Sequence, residues 1–107
     1  MAYFLCRLKP PRPTFPTDMS EAEAKAMAAH AMYWQAEAQA GSVIVFGPVL
    51  DPAGAWGLGI IEAEDDAAVR RFVGGDPVMG AGFGFSCDIL PMPSANLGRR
   101  LQTLVTP

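Results

Sequence analysis

The chain has 107 residues, 50% of them hydrophobic and 18% charged, with a formal net charge of −3. That length points to one domain able to bury somewhat over ~60% of its extended-chain surface, and the composition excludes a disordered polymer. Arg and Lys are scattered apart from Arg70-Arg71 and Arg99-Arg100, so no basic face is visible to neutralise phosphates, and nucleic acid is not an expected partner.

Tyr3-Phe-Leu-Cys-Arg-Leu8 is short and aromatic-rich and reads as a first strand. It carries neither the charged leader nor the small-residue cleavage site of a signal peptide. No apolar run approaches the ~20 residues of a membrane span. The expectation is a cytoplasmic protein of bacterial type. Lys9-Pro10-Pro11-Arg12-Pro13-Thr14-Phe15-Pro16 is too rich in proline for regular structure. It is expected as an ordered extended loop anchored by Phe15.

Ser20 and Glu23 have the spacing of a capping box. The Ala-, Glu-, Gln- and Met-rich stretch after them predicts a helix to about Ala40, with Gly41 as its C-cap. Ala24, Met27, Ala28, Ala31, Trp34 and Ala38 form one apolar stripe at helical spacing. His30, the only histidine, lies at the edge of that stripe, with Tyr33 and Glu37 on the wetter side.

Val43–Phe46 reads as a buried strand ended by Gly47-Pro48. Asp51-Pro52-Ala53-Gly54 is a turn signature, and Trp56–Glu62 returns as the second arm of a hairpin. Asp65 or Asp66 caps a second helix through Val73, with Val69, Phe72 and Val73 facing inward; Gly74-Gly75 stops it. Phe83–Leu90 is the last strand, ended by Pro91. Leu97, Leu101 and Leu104 suggest a short terminal helix, a strap, or a segment packed on a partner subunit. The domain is placed at residues 1–92 and a tail at 93–107. The order β-α-β-β-α-β is the split, ferredoxin-like α+β pattern: a four-stranded antiparallel sheet with two helices on one face. Its strands carry apolar residues at both parities, so the second face needs cover, and a homodimer supplies it most economically.

The candidate chemistry rests on His30 and the acidic turn Gly74-Gly75-Asp76-Pro77. A histidine exchanges protons near neutral pH, and a carboxylate on one ring nitrogen fixes the tautomer and leaves the other nitrogen to work. In this topology the two can come together near one end of the sheet. The plainer alternative has His30 half-buried on a carbonyl and Asp76 starting a turn. Tyr33 and Trp34 are candidate walls for a planar ligand, with Trp34 also a natural core residue. Gly47, Pro48 and Gly82 are candidates for backbone approach to a ligand. Cys6 and Cys87 are widely spaced, with no C-x-x-C and no second histidine, so neither a zinc site nor any other metal is expected, and both are read as free thiols.

Several of these elements, in this order and spacing, resemble the YCII-related (YciI-like) proteins: the early strand, His30, Gly41, Gly47-Pro48, Gly54, and Asp76-Pro77 followed by Gly82. A subgroup is marked by Pro10–Phe15, His30-x-x-Tyr33-Trp34 and Phe46-Gly-Pro-Val-Leu-Asp-Pro-Ala-Gly-Ala-Trp-Gly57. The resemblance covers roughly residues 1–92. It implies a dimeric α/β-barrel type of ferredoxin-like fold, similar to muconolactone isomerase, and a catalytic histidine-aspartate pair at His30 and Asp76. One relative dechlorinates a chlorinated aromatic. The function expected is a small cofactor-independent enzyme, with His30 and Asp76 as general acid/base on a small cyclic or aromatic-derived compound. Tyr33, Trp34, Gly47, Pro48, Pro77 and Gly82 would line its site. A non-catalytic ligand-binding or regulatory dimer is the alternative. The loop 9–19 and the tail 93–107 depart from the plain family pattern.

Overall fold

Antiparallel pairing joins four strands in the order β2-β3-β1-β4, where β1 is Ala2–Lys9, β2 Val43–Val49, β3 Trp56–Ala63 and β4 Ser86–Met92. A computed structural model of the chain describes residues 1–80 and 82–98. Helices α1 (Phe15–Asp18) and α2 (Glu21–Ala40) lie between β1 and β2, and α3 (Asp66–Gly74) lies between β3 and β4. This is the α+β ferredoxin-like arrangement.

One sheet face carries Phe4, Cys6 and Leu8 of β1, opposite Ile61, Gly59 and Gly57 of β3. Trp34 of α2 and Val69 and Val73 of α3 pack on it, so both long helices share that face. The other face presents Leu5, Ile60 and Leu90 in one cross-strand row. Tyr3 opposite Glu62 and Arg7 opposite Asp88 flank that row. Val45 and Leu90 remain 42% and 46% exposed there.

The local signals explain the element ends. Ser20 Oγ accepts from the Glu23 amide, and the Glu23 carboxylate accepts from the Ser20 amide, closing the capping box at both ends. Gly41 ends α2 at φ 100°, a conformation that costs glycine little. Asp65 caps α3 by accepting from the Ala68 amide. Replacing Ser20 with alanine is expected to cost about 1 kcal/mol. Urea unfolding should show a lower midpoint with an unchanged slope.

Four sequence expectations need correction. The proline loop contains the one-turn helix α1, because Pro16 sits in its first turn, where no backbone donor is needed. Phe15 is its buried anchor, as expected. Gly47-Pro48 does not end β2, and Pro91 does not end β4; the last strand runs 86–92 rather than 83–90. β2 and β4 are the two edges of the sheet, and an edge strand accepts a proline whose missing donor points outward. Finally, Ala24, Ala28 and Ala31 of the predicted stripe are exposed. Of the three, only Ala31 borders the cavity; Met27 and Trp34 carry the inward side of α2 there. Leu101 and Leu104 lie outside the described residues.

Candidate active site

Helix α2 carries His30 to the cavity wall, and the turn after α3 brings Asp76 behind it. Asp76 is 2% exposed. Three donors converge on its carboxylate. His30 Nδ1 lies 2.6 Å from Oδ2, Trp34 Nε1 donates to the same oxygen at 2.7 Å, and the Val78 amide donates to Oδ1 at 3.0 Å. A carboxylate only accepts, so this arrangement puts the proton of neutral His30 on Nδ1 and leaves Nε2 free. Burial pushes the Asp76 carboxyl up. The bonds from His30, Trp34 and the Val78 amide outweigh it, so Asp76 stays below the ordinary carboxylate range.

The Asp76 turn is itself held. Tyr33 stacks on Phe72 at 4.9 Å, and its hydroxyl donates to the Phe72 carbonyl at 2.8 Å. A Cβ on Gly75 would come within 2.5 Å of that hydroxyl, so glycine is required where α3 hands over to the turn. Pro77 presets the next step, and the Met79 amide donates to the Asp76 carbonyl.

On its other side His30 borders a cavity of about 320 Å³. Its floor is the glycine pair of β3. A Cβ on Gly59 would lie 2.4 Å from the Trp34 ring and one on Gly57 3.3 Å from Leu8. Phe46, Gly47 and Pro48 form one wall, and Pro10, Phe15, Pro16 and Met19 cover the mouth. Phe15 meets Phe85 edge to face at 5.1 Å, which ties this cover to the approach to β4. Arg12 clamps it: the guanidinium donates twice to Glu23, at 2.7 and 2.9 Å, and to Asp18 at 2.9 Å. The Arg12 and Ser20 hydrogen bonds hold the Glu23 carboxyl down at about 2.

Of the predicted site residues, the structure brings His30, Trp34, Gly47 and Pro48 to the cavity, with Asp76 in contact with His30 and Trp34. Tyr33, Pro77 and Gly82 do not line it. Tyr33 turns toward α3, Pro77 serves the Asp76 turn, and Gly82 stands at φ 73° with nothing within 4 Å of a Cβ built on it. The sequence reading treats the loop 9–19 as a segment that could reshape the pocket mouth but does not name Pro10, Pro16 and Met19 as lining, and it misses the glycine floor. A signal for the floor exists in Trp56-Gly-Leu-Gly59: two glycines two residues apart leave one face of a strand bare. Among the described residues no group of three His, Cys, Asp or Glu side chains is placed to hold a metal ion. No described helix is long and apolar enough to cross a membrane.

Among curated proteins none matches the chain. Among solved structures it is similar to the 5-chloro-2-hydroxyhydroquinone dehydrochlorinase (TftG) of Burkholderia phenoliruptrix AC1100, in complex with 2,5-dihydroxybenzoquinone. The TM-score is 0.55 at 22% identity, over 91% of this chain and 97% of that chain. That likeness establishes the fold. The sequence profile of the YCII-related domain covers residues 3–93. With a match over that much of its length, the chain belongs to the YCII-related domain family.

Proposed function

We propose that the protein is a small acid-base enzyme in which His30, oriented by Asp76, moves a proton on a small, largely apolar cyclic or aromatic-derived compound. The observation that carries this reading is the 2.6 Å contact between His30 Nδ1 and Asp76 Oδ2, with a cavity of about 320 Å³ against the same imidazole. Neutral Nε2 accepts a proton from the substrate, and the imidazolium that forms is stabilised by the buried carboxylate. The proton then returns elsewhere on the substrate, giving isomerisation, or the substrate loses a leaving group, giving elimination or dehalogenation; hydrolysis through an activated water uses the same base. The dehydrochlorinase of like fold acts on a chlorinated hydroxyhydroquinone, which suits a cavity walled by Phe15, Phe46, Trp34 and Phe85.

The test is a thermal-shift screen of phenols, quinones, lactones and cyclic acids, followed by product detection for every stabilising compound. Wild type should bind and convert at least one, and His30→Ala should bind without converting it. Conversion that survives in His30→Ala overturns the acid-base reading. Binding without turnover in wild type supports the second reading, a ligand-binding module, which the nearly all-apolar cavity wall favours.

The site is proposed to work in a homodimer. The Leu5–Ile60–Leu90 row is a bare apolar surface between charged ends, which a second copy covers. Light scattering at micromolar concentration should give twice the 11.4 kDa chain mass, and a Leu90→Glu variant should give the monomer.

A further inference from the structure

We propose that Cys6, in the wall of the cavity, and Cys87 on the neighbouring edge strand form an oxidisable thiol pair, with Cys87 the thiol that meets a peroxide and Cys6 the thiol that closes a disulfide. They are the chain's two cysteines, and both are free. In the β1–β4 register Leu8 lies opposite Cys87 and Cys6 opposite Ile89, so the two thiols are diagonal neighbours on the helix-covered face. Pro91 opposite Phe4 belongs to the same series of pairs. Proline has no donor, so these are the non-hydrogen-bonded pairs, in which facing side chains approach closest. Diagonal positions stand about 7–8 Å apart between Cα atoms, at or just beyond the reach of a disulfide, so the strands must draw together for the bridge to close. β4 is an edge strand, hydrogen-bonded to β1 alone within the sheet, so the remaining adjustment involves one strand pair.

The two thiols have unlike surroundings. Cys6 is 1% exposed and lines the cavity that His30 borders. The neighbouring Cys87 thiol, then burial, pushes the Cys6 thiol up. The Cys6 thiol in turn holds the Cys87 thiol down, against burial and the charges of Asp88 and Asp76. Cys87 is half-buried on the edge strand, so it is both the more accessible sulfur and the more readily ionised one.

The chemistry balances with hydrogen peroxide as the two-electron oxidant. The Cys87 thiolate attacks one peroxide oxygen; the O–O bond breaks, an S–O bond forms, and hydroxide leaves and takes up a proton. Cys6 then gives up its proton and attacks the sulfenic sulfur; the S–S bond forms, the S–O bond breaks, and a second water leaves. Two thiols and one peroxide give one disulfide and two waters. The bridge would tie β4 to β1 and move the Cys6 sulfur within the cavity wall.

The test uses the reduced full chain titrated with hydrogen peroxide and read by intact mass without reductant. Wild type should lose the mass of two hydrogens per chain, regain it with dithiothreitol, and yield one cross-linked peptide joining β1 to β4. Cys6→Ala should instead trap Cys87 as a sulfenic acid that dimedone labels. Cys87→Ala, altered at the more exposed position, should fold and stay unmodified at the same dose. Chains cross-linked to each other, Cys6 oxidised as readily as Cys87, or a wild type inert to peroxide would each overturn the proposal. None of these readouts depends on the activity of His30.

Discussion

His30→Ala is expected to lower turnover by about 10²–10⁴-fold, the usual contribution of a positioned acid-base group, while circular dichroism shows a folded chain. Asp76→Asn should cost turnover on the same scale, for a reason visible in its donors. Three N–H groups converge on two carboxylate oxygens. An asparagine offers one oxygen and one NH2, so in either orientation its NH2 opposes at least one of those donors. The buried mismatch adds about 1–3 kcal/mol of destabilisation, and His30 loses in either orientation the negative charge that would stabilise its imidazolium. The double variant should be little worse than either single one, because paired groups act as a unit. Turnover that merely tracks the folded fraction, with the two losses multiplying, would reduce the pair to a structural contact.

Trp34 carries the second large effect, and two variants separate its roles. Trp34→Ala removes a core side chain that is 4% exposed and lies directly over Gly59. It should cost about 3–5 kcal/mol, a fall in Tm of roughly 12 °C or more. Trp34→Phe keeps most of the ring and deletes only the N–H on Asp76 Oδ2. Its signature is in the pH profile. Asp76 is held below its ordinary value in the folded chain, so it binds a proton more weakly folded than unfolded. Its contribution to stability is therefore complete above about pH 4 and is lost as pH falls through the lowered folded value. Deleting one of the bonds that lowers it raises the folded value toward the unfolded one, so the loss should become smaller and be complete at a higher pH. Urea midpoints of the two proteins across the acid range test this; superimposable profiles would remove Trp34 from the positioning of Asp76.

The parts of this architecture that were legible in the sequence are those set by local rules. Ser20 with Glu23, Gly41 and Asp65 mark helix ends because a cap needs only its own neighbours. The element order allowed His30 and the Asp76 turn to come together without requiring it, and it was the resemblance to the YCII-related proteins that singled the pair out. What was not legible depends on who stands beside whom. Pro48 and Pro91 look like strand breakers until β2 and β4 prove to be edges. The alanines of α2 look like a core stripe, yet Ala24, Ala28 and Ala31 are exposed, because methyl groups at helical spacing do not by themselves say which side of the helix meets the sheet. Tyr33 and Trp34 are adjacent, yet one turns to α3 and the other to the carboxylate; periodicity places both near the sheet without assigning their polar atoms.

The two edge prolines also bear on how the protein behaves in a crowded solution. A sheet ends in a row of unsatisfied backbone groups, and a foreign strand that finds such a row can extend it without limit. Here each border is interrupted by a residue with nothing to donate. Fibril-like growth through the margins is therefore obstructed at Pro48 and at Pro91. Replacing either with valine should preserve the fold and raise the tendency to form thioflavin-positive aggregates on prolonged incubation.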